Sequence, residues 1–438
     1  MIRSGTFLLT WLFVATAWAD QPVFTTHRPP DNRPRHDPMQ LRKEGILRYE
    51  SQRLILWSDL DPADVRSLPA LIDQAYDAWV KYFGPPLPDR DGAEYQLTGY
   101  LMRDRERFLE LGLLPREFSQ FQHGMNRGYE FWLETQESPY YRRHLLIHEA
   151  THCFMQIVPG RRAPLWYLEG MAEYFGVHAE DQPGKFRFGV MPDALATFRG
   201  FGRIEMIRKA VAAERPLSLT QVLALGDKEF ARSRSEPYAW GWALCHFLDA
   251  HPRYHKRFRG LGQYLANDEF VTHLQEDFAK DYSELSAEWD QFQRTIGYGY
   301  DIPRSTIDFR VGVPLAAVQK ATSKVESGRG WQSSGVQVLA DQTYSVAATG
   351  RVTLSQGSGS WDSEPAGISI RYAAGQPIGR LLLSVLSDES NTWEKPLPYE
   401  PELAFRPTTT GTVYFRVNDY WSELADNTGE YQVTIQMR

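Results

Sequence analysis

The pentapeptide His148-Glu149-Ala150-Thr151-His152 constrains this chain more than any other stretch, because it lies inside an apolar run from Leu145 to Val158. On an α-helix the two histidines fall one turn apart on one face, where both imidazoles can reach one Zn²⁺. Glu149 then stands beside the ion, placed to take a proton from water. That is the division of labour of a zinc hydrolase, in which the ion makes hydroxide available near neutral pH and a carboxylate shuttles the proton. The competing reading is a satisfied polar network in a buried helix.

A second stretch, Trp166-Tyr167-Leu168-Glu169-Gly170-Met171-Ala172-Glu173-Tyr174, follows Pro159, Gly160 and Pro164, which read as a helix end, a turn and a new helix start. Glu169 can return to the metal as third protein ligand, leaving the fourth tetrahedral position to water. Glu173, one turn on, is expected to accept the free N–H of a ligand imidazole and fix its tautomer; replacing Glu169 as ligand is its alternative role. His144 precedes His148 by one turn. Three histidines spaced four apart on a straight helix cannot converge on one ion, so His144 is expected at the surface or behind the ligands.

HEATH followed by WYLEGMAEY resembles the gluzincin metallopeptidases, whose catalytic domains are thermolysin-like or M1 aminopeptidase-like, and in particular a secreted branch with Trp-x-x-Glu-Gly-x-Ala. The resemblance implies His148, His152 and Glu169 as zinc ligands and Glu149 as general base. Pro237-Tyr238-Ala239-Trp240-Gly241 is similar to the downstream Tyr-x-x-Gly of the M1 group, which implies that Tyr238 hydrogen-bonds the tetrahedral oxyanion; a buried aromatic anchoring its helix through Phe247 is the alternative. M1 enzymes carry Gly-x-Met-Glu-Asn, whose glutamate binds a substrate's free amine. Here Gly124-Met125-Asn126 lacks it and Glu130 stands in another setting, so the resemblance implies an endopeptidase or another amide hydrolase rather than an aminopeptidase.

With 438 residues the chain is too long for one ordinary core, and a net charge of −7 without a basic cluster argues against nucleic acid as partner. Arg3, the apolar Phe7 to Val14 and Ala17-Trp18-Ala19 read as an export signal over 1–19, which predicts a secreted or periplasmic protein starting at Asp20. No lipid-anchor cysteine follows it, and no other run approaches the length of a membrane span, so no transmembrane anchor is expected. Residues 20–45, rich in Pro, Arg and His, read as an extended linker. The resemblance implies that residues 46–303 are the catalytic domain. Leu54 to Trp57 and Tyr95 to Met102 read as strands flanking a helix over Asp64 to Phe83, a crossover within a mixed sheet, and helical patterns dominate from Pro192 to Tyr298. By resemblance, Gly128 to Thr135 is the sheet edge on which substrate backbone pairs. Cys153 and Cys245 are the two cysteines; a disulfide between them and two buried thiols remain open alternatives.

After a linker over 304–324, residues 325–438 show short alternating strands divided by Gly, Ser, Asp and Pro, the pattern of an antiparallel β-sandwich. The predicted fold class is therefore α+β, a thermolysin/M1-like zincin domain followed by a sandwich. Asn418-Asp419 and Asp426-Asn427-Thr428-Gly429 gather oxygen donors suited to a hard cation, and also make a good turn on their own. Their spacing resembles the calcium-dependent galactose-binding bacterial lectins over roughly the last hundred residues. That implies Ca²⁺ on Asp419, Asp426 and Asn427, with backbone carbonyls near Leu354 and Glu423, and a glycan ligand. Ser363-Glu364-Pro365-Ala366-Gly367 replaces the lectins' His-Pro-x-Gln-Gly loop, so galactose specificity is not implied. The resulting expectation is an exported zinc metallopeptidase acting on a protein, peptide or glycoprotein. The alternative is a cell-surface carbohydrate-binding protein whose zinc site is structural or inactive.

Overall fold

Five strands organise the first half: β1 (Leu47–Glu50), β2 (Leu54–Ser58), β3 (Leu97–Met102), β4 (Gly124–Arg127) and β5 (Glu130–Glu134), lying in the order β1-β2-β3-β5-β4. The computed structural model describes residues 26–438 apart from 122, 157–162, 233–234, 266–268, 317 and 356–358. The export signal expected over 1–19 and the start of the expected linker lie outside the described residues. The architecture is α+β: a mixed sheet packed with helices, then a two-sheet β-sandwich.

The crossover forms as its pattern predicts. β2, the helix Leu68–Phe83 and β3 succeed one another, and β2 pairs parallel with β3, Leu54 opposite Leu97. Every β3 residue is buried, because its alternating side chains feed two cores. Leu97 and Leu101 join the core under the helices, while Tyr100 and Met102 join Leu41, Ile46, Trp57, Phe108 and Trp132 on the other face.

Two expectations are corrected here. The stretch 26–45, expected as an extended linker, lies against the sheet. The Arg28 guanidinium donates to Ala93 O (2.6 Å), Tyr129 Oη to Pro29 O (2.7 Å), and His36 Nε2 lies 2.8 Å from Tyr100 Oη. Asp37 caps a helix, Pro38–Lys43, that buries Leu41. These anchors are cationic and aromatic, so a search for apolar periodicity does not see them. The stretch 128–135, expected as the sheet edge, is interior: β5 lies between β3 and β4. A turn at Gly128, whose φ of +60° favours glycine, folds Gly124–Arg127 outside it as the true edge. Gly-Met-Asn-Arg has no apolar alternation to announce a strand.

In the second half, one sheet runs Leu397–Pro398, Leu381–Ser387, Gly411–Val417, Gln332–Val338, Val313–Pro314. The other runs Asp362–Ser363, Tyr344–Thr353, Thr428–Met437, Lys320–Glu326, with Leu403–Phe405 also paired to Tyr344–Thr353. Pairing is antiparallel except at the two-residue edge Val313–Pro314. Leu383, Val385, Val413 and Phe415 of the first sheet meet Tyr344, Val346, Tyr431 and Val433 of the second in one core. Ile307 and Leu315 are buried and Lys320–Glu326 is already a sheet strand, so the expected linker 304–324 is partly built into the fold, while Val311, Val313 and Val318 between those anchors are exposed.

Strands Leu381–Ser387 and Gly411–Val417 are buried at every position. Their second face packs on the helical half, where Leu382, Leu386 and Tyr414 meet Ala287 of the helix Tyr282–Thr295. Trp421 stacks on Tyr300 at 5.3 Å, and its carbonyl accepts from Asp301 N (2.9 Å). The two halves thus share a built apolar joint. Among the described residues no helix is long and apolar enough to cross a membrane.

Candidate metal centre

The helix Pro139–Gln156 carries His148, Glu149 and His152, and the helix Leu165–Gly176 carries Glu169 and Glu173. The first is buried over most of its length, between the sheet and the following helices, so its polar His144, His148, Glu149, Thr151 and His152 are buried along with its apolar residues. A third helix, Glu236–Ala250, brings Tyr238. Its approach depends on the glycines of the two motifs. A Cβ on Gly170 would lie 2.6 Å from both Gly241 O and Cys245 Sγ, and one on Gly241 would lie 2.9 Å from Trp166 O. Only two glycines permit this contact, and it sets Tyr238 against the histidine pair, its ring centroid 6.3 Å from that of His148.

The three expected ligands converge. His148 Nε2 and His152 Nε2 are 3.1 Å apart, His152 Nε2 lies 3.0 Å from Glu169 Oε2, and His148 Nε2 lies 3.5 Å from the same oxygen. Ligand atoms held at about 2.0–2.2 Å in a tetrahedral zinc site stand about 3.3 Å from one another, so the residues fit a metal ion of that size. At most one proton can lie between two facing imidazole nitrogens, which makes the cluster poorly satisfied by hydrogen bonds alone. Its electrostatics agree. Burial disfavours a charged His148, yet its polar contact with the Glu169 carboxylate and the carboxylates of Glu173 and Glu149 outweigh burial and push it up to about 9. Burial likewise opposes a charged Glu169, but the His152 and His148 imidazoles hold it well below the usual carboxylate range. This pocket favours positive charge. These buried His and Glu side chains could hold a metal ion.

A second grouping, His144, His148 and Glu173, also lies close enough for an ion. Arg203 occupies it instead: its Nη2 donates to Glu173 Oε1 (2.8 Å) and its Nε to Oε2 (3.0 Å). That fork supplies the cation, so Glu173 is held as a carboxylate behind the site. Its Oε1 lies 3.5 Å from His148 Nδ1, the nearest partner for that nitrogen but too long for a formed hydrogen bond. His144 is fully buried, with Nε2 3.3 Å from Glu173 Oε2 and its ring stacked on Tyr141 at 5.5 Å. Of its two expected settings, the one behind the ligands is therefore observed. Burial followed by the carboxylates of Glu169, Glu173 and Glu149 raises the Tyr238 phenol, which keeps it a proton donor.

Glu149 is buried, with Oε2 accepting from Asn126 Nδ2 at 2.8 Å. Asn126 Oδ1 in turn accepts from Gln156 Nε2. Sequence reasoning passed over Asn126, Gln156 and Arg203. Gln156 had a signal, since it continues the four-residue spacing of His148 and His152 on one helix face. Arg203 had none, being thirty residues from the carboxylate it binds. Cys153 and Cys245 are both buried free thiols.

No protein-family model matches the chain, and no curated protein matches it. Among solved structures, a chain described as "EclA N-terminal domain; PllA-like lectin" is similar at 18% identity, with 27% of this chain and 95% of that chain covered and a TM-score of 0.22.

In the sandwich, Asp419 and Asn427 are buried and adjacent, Asn427 Nδ2 donating to Asp419 Oδ2 at 3.0 Å. Asp419 Oδ1 accepts from Tyr420 N (2.8 Å), and Asn427 Oδ1 is buried without a hydrogen-bond partner. Asp426, the third expected ligand, is exposed. Glu423 is committed to Arg371 at 2.8 and 2.9 Å. Burial pushes Asp419 up to about 6.

Proposed function

We propose that this chain is an exported zinc metallopeptidase of the gluzincin type, an endopeptidase acting on proteins, peptides or glycoproteins. The observation that supports it best is Glu149, a buried carboxylate held beside two imidazoles and a glutamate whose ligand atoms fit one ion. A structural zinc closes its coordination with four protein ligands, whereas a catalytic one keeps a position open and a base beside it. Zinc bound there lowers the pKa of water and polarises a carbonyl.

The chain's own residues then divide the work. Glu149 takes the proton of the attacking water and passes it to the leaving amine nitrogen. Tyr238, kept protonated by its surroundings, donates a hydrogen bond to the oxyanion. Arg203 and His144 fix Glu173, which stands behind His148 and limits its rotation. The sandwich is proposed to hold a hard cation such as Ca²⁺ at Asp419 and Asn427 and to present a glycan-binding face, supported by the unpartnered Asn427 Oδ1.

Metal analysis with a peptide-library digest read by mass spectrometry tests the first reading. One zinc per chain, cleavage in the wild type, and a loss of about 10²–10⁴-fold in Glu149→Gln with zinc retained are expected. Unchanged turnover in that variant rejects the mechanism. A glycan array with and without calcium tests the second reading, and indifference to both rejects it.

A further inference from the structure

We infer that Asn126, locked by Gln156, is a positioning residue that fixes the carboxylate of Glu149; this rests on the peptidase reading above. Asn126 lies on the edge strand β4, and its Nδ2 donates to Glu149 Oε2 at 2.8 Å. Its Oδ1 accepts from Gln156 Nε2, so both ends of the amide are committed and the amide cannot turn end for end. Gln156 stands two turns after His148 on the helix that bears the ligands. One helix face therefore presents two ligand imidazoles and the side chain that orients Asn126.

The other carboxylate oxygen is bounded by the same strand. Gly124 precedes Asn126 by two residues, on the same face of β4. A Cβ at Gly124 would fall 2.3 Å from Glu149 Oε1. Glu149 is thus bracketed, with a donor on Oε2 and bare backbone against Oε1, and its last torsions are fixed before any substrate arrives. Holding a reacting group in one orientation is where a misplacement of an ångström costs most. Each end of the Asn126 amide has a partner within the protein, and the partner of its Nδ2 is the base itself, so it acts through Glu149. The strand edge open to a peptide backbone and the base that takes the proton of the attacking water are one mechanical unit.

Zinc-loaded full-length variants test this. Asn126→Ala is expected to lower kcat about 10–100-fold with KM within about twofold and one zinc per chain. Gln156→Ala is expected to lose less, and the Asn126→Ala/Gln156→Ala double variant no more than Asn126→Ala alone, because Gln156 works through Asn126. A Cβ at Gly124 would press on Oε1, Cδ and Cγ of Glu149 at 2.3 to 2.8 Å, so Gly124→Ala must push the carboxylate aside and should lose about 10-fold in kcat with one zinc per chain retained. In zinc-free protein, Asn126→Ala should lower Tm by roughly 2–4 °C in the wild type and by less than about 1 °C in a Glu149→Ala background. A kcat within about twofold of wild type for Asn126→Ala, or a raised KM with kcat kept, overturns the inference. Should the wild type cleave nothing, the peptidase reading fails and the thermal cycle alone decides: equal losses of Tm in both backgrounds reject the bracket.

Discussion

Two clusters in this protein gather metal-binding side chains, and they are held in opposite ways. At the helical centre, donors from two helices point at one spot, 3.0 to 3.5 Å apart, with two imidazole nitrogens facing each other where at most one proton fits. In the sandwich loop, Asp419 and Asn427 turn towards each other and bond at 3.0 Å, while Asp426 lies on the surface. Helices carry their side chains on a fixed period, so packing two of them fixes several donors at once. A loop fixes each donor separately, and an amide with two unlike ends can serve a carboxylate or a cation. The difference teaches that packed helices leave three donor atoms facing one point, whereas a loop lets one carboxylate and one amide close on each other first.

The sharpest test of that contrast removes one donor from each cluster. Glu169→Ala is expected to weaken zinc binding by more than about 100-fold and abolish turnover, whereas Asp419→Ala leaves both unchanged. Metal content after dialysis reads the first, and zinc loss from the sandwich variant would break the comparison. Next in size is Arg203→Met, which leaves the buried Glu173 carboxylate without its cation. Denaturant unfolding of the zinc-free chain should show a loss of roughly 3–5 kcal/mol.

A third test uses pH. Burial raises Asp419 from 3.8 to about 6, so the folded chain holds this proton more tightly than the unfolded one. Its contribution is therefore fully present below about pH 4 and is lost as pH rises through 6, on the order of 2–3 kcal/mol. Asp419→Asn should remove that slope from the thermal unfolding profile. Calcium at pH 7 should restore the lost stability in the wild type and do nothing for the variant. A wild-type profile without the slope, or one that calcium leaves in place at pH 7, makes the loop a plain turn. The smallest effect is expected at Asp426→Ala, which should change Tm by less than about 1 °C without calcium and reduce the calcium increment.

Much of the first cluster was legible. His148, Glu149, His152 and Glu169 come together as their spacing required, and the crossover of β2 and β3 follows from apolar runs whose period is local. What escaped was held by single polar contacts across long stretches of chain. The packing of Arg28 and His36 onto the sheet runs through a guanidinium and an imidazole, which carry no periodicity. The edge strand was misplaced by one, because a glycine turn at Gly128 adds a short polar strand that no pattern announces. The run Leu381 to Ser387, apolar but for two serines and buried throughout, belongs to a strand covered on both faces, the second by the helical half.

By itself the sequence determined which side chains share a helix face, since the α-helical period is a property of a few consecutive residues. It likewise determined the change from helical to alternating pattern that divides the chain. Only the tertiary structure decided how those faces meet. The contact of Gly170 with Gly241 brings Tyr238 to the histidines, Arg203 claims Glu173, and β4 brackets Glu149. Each of these depends on the relative placement of elements far apart in the chain, which is set by the summed packing of the core rather than by any local preference.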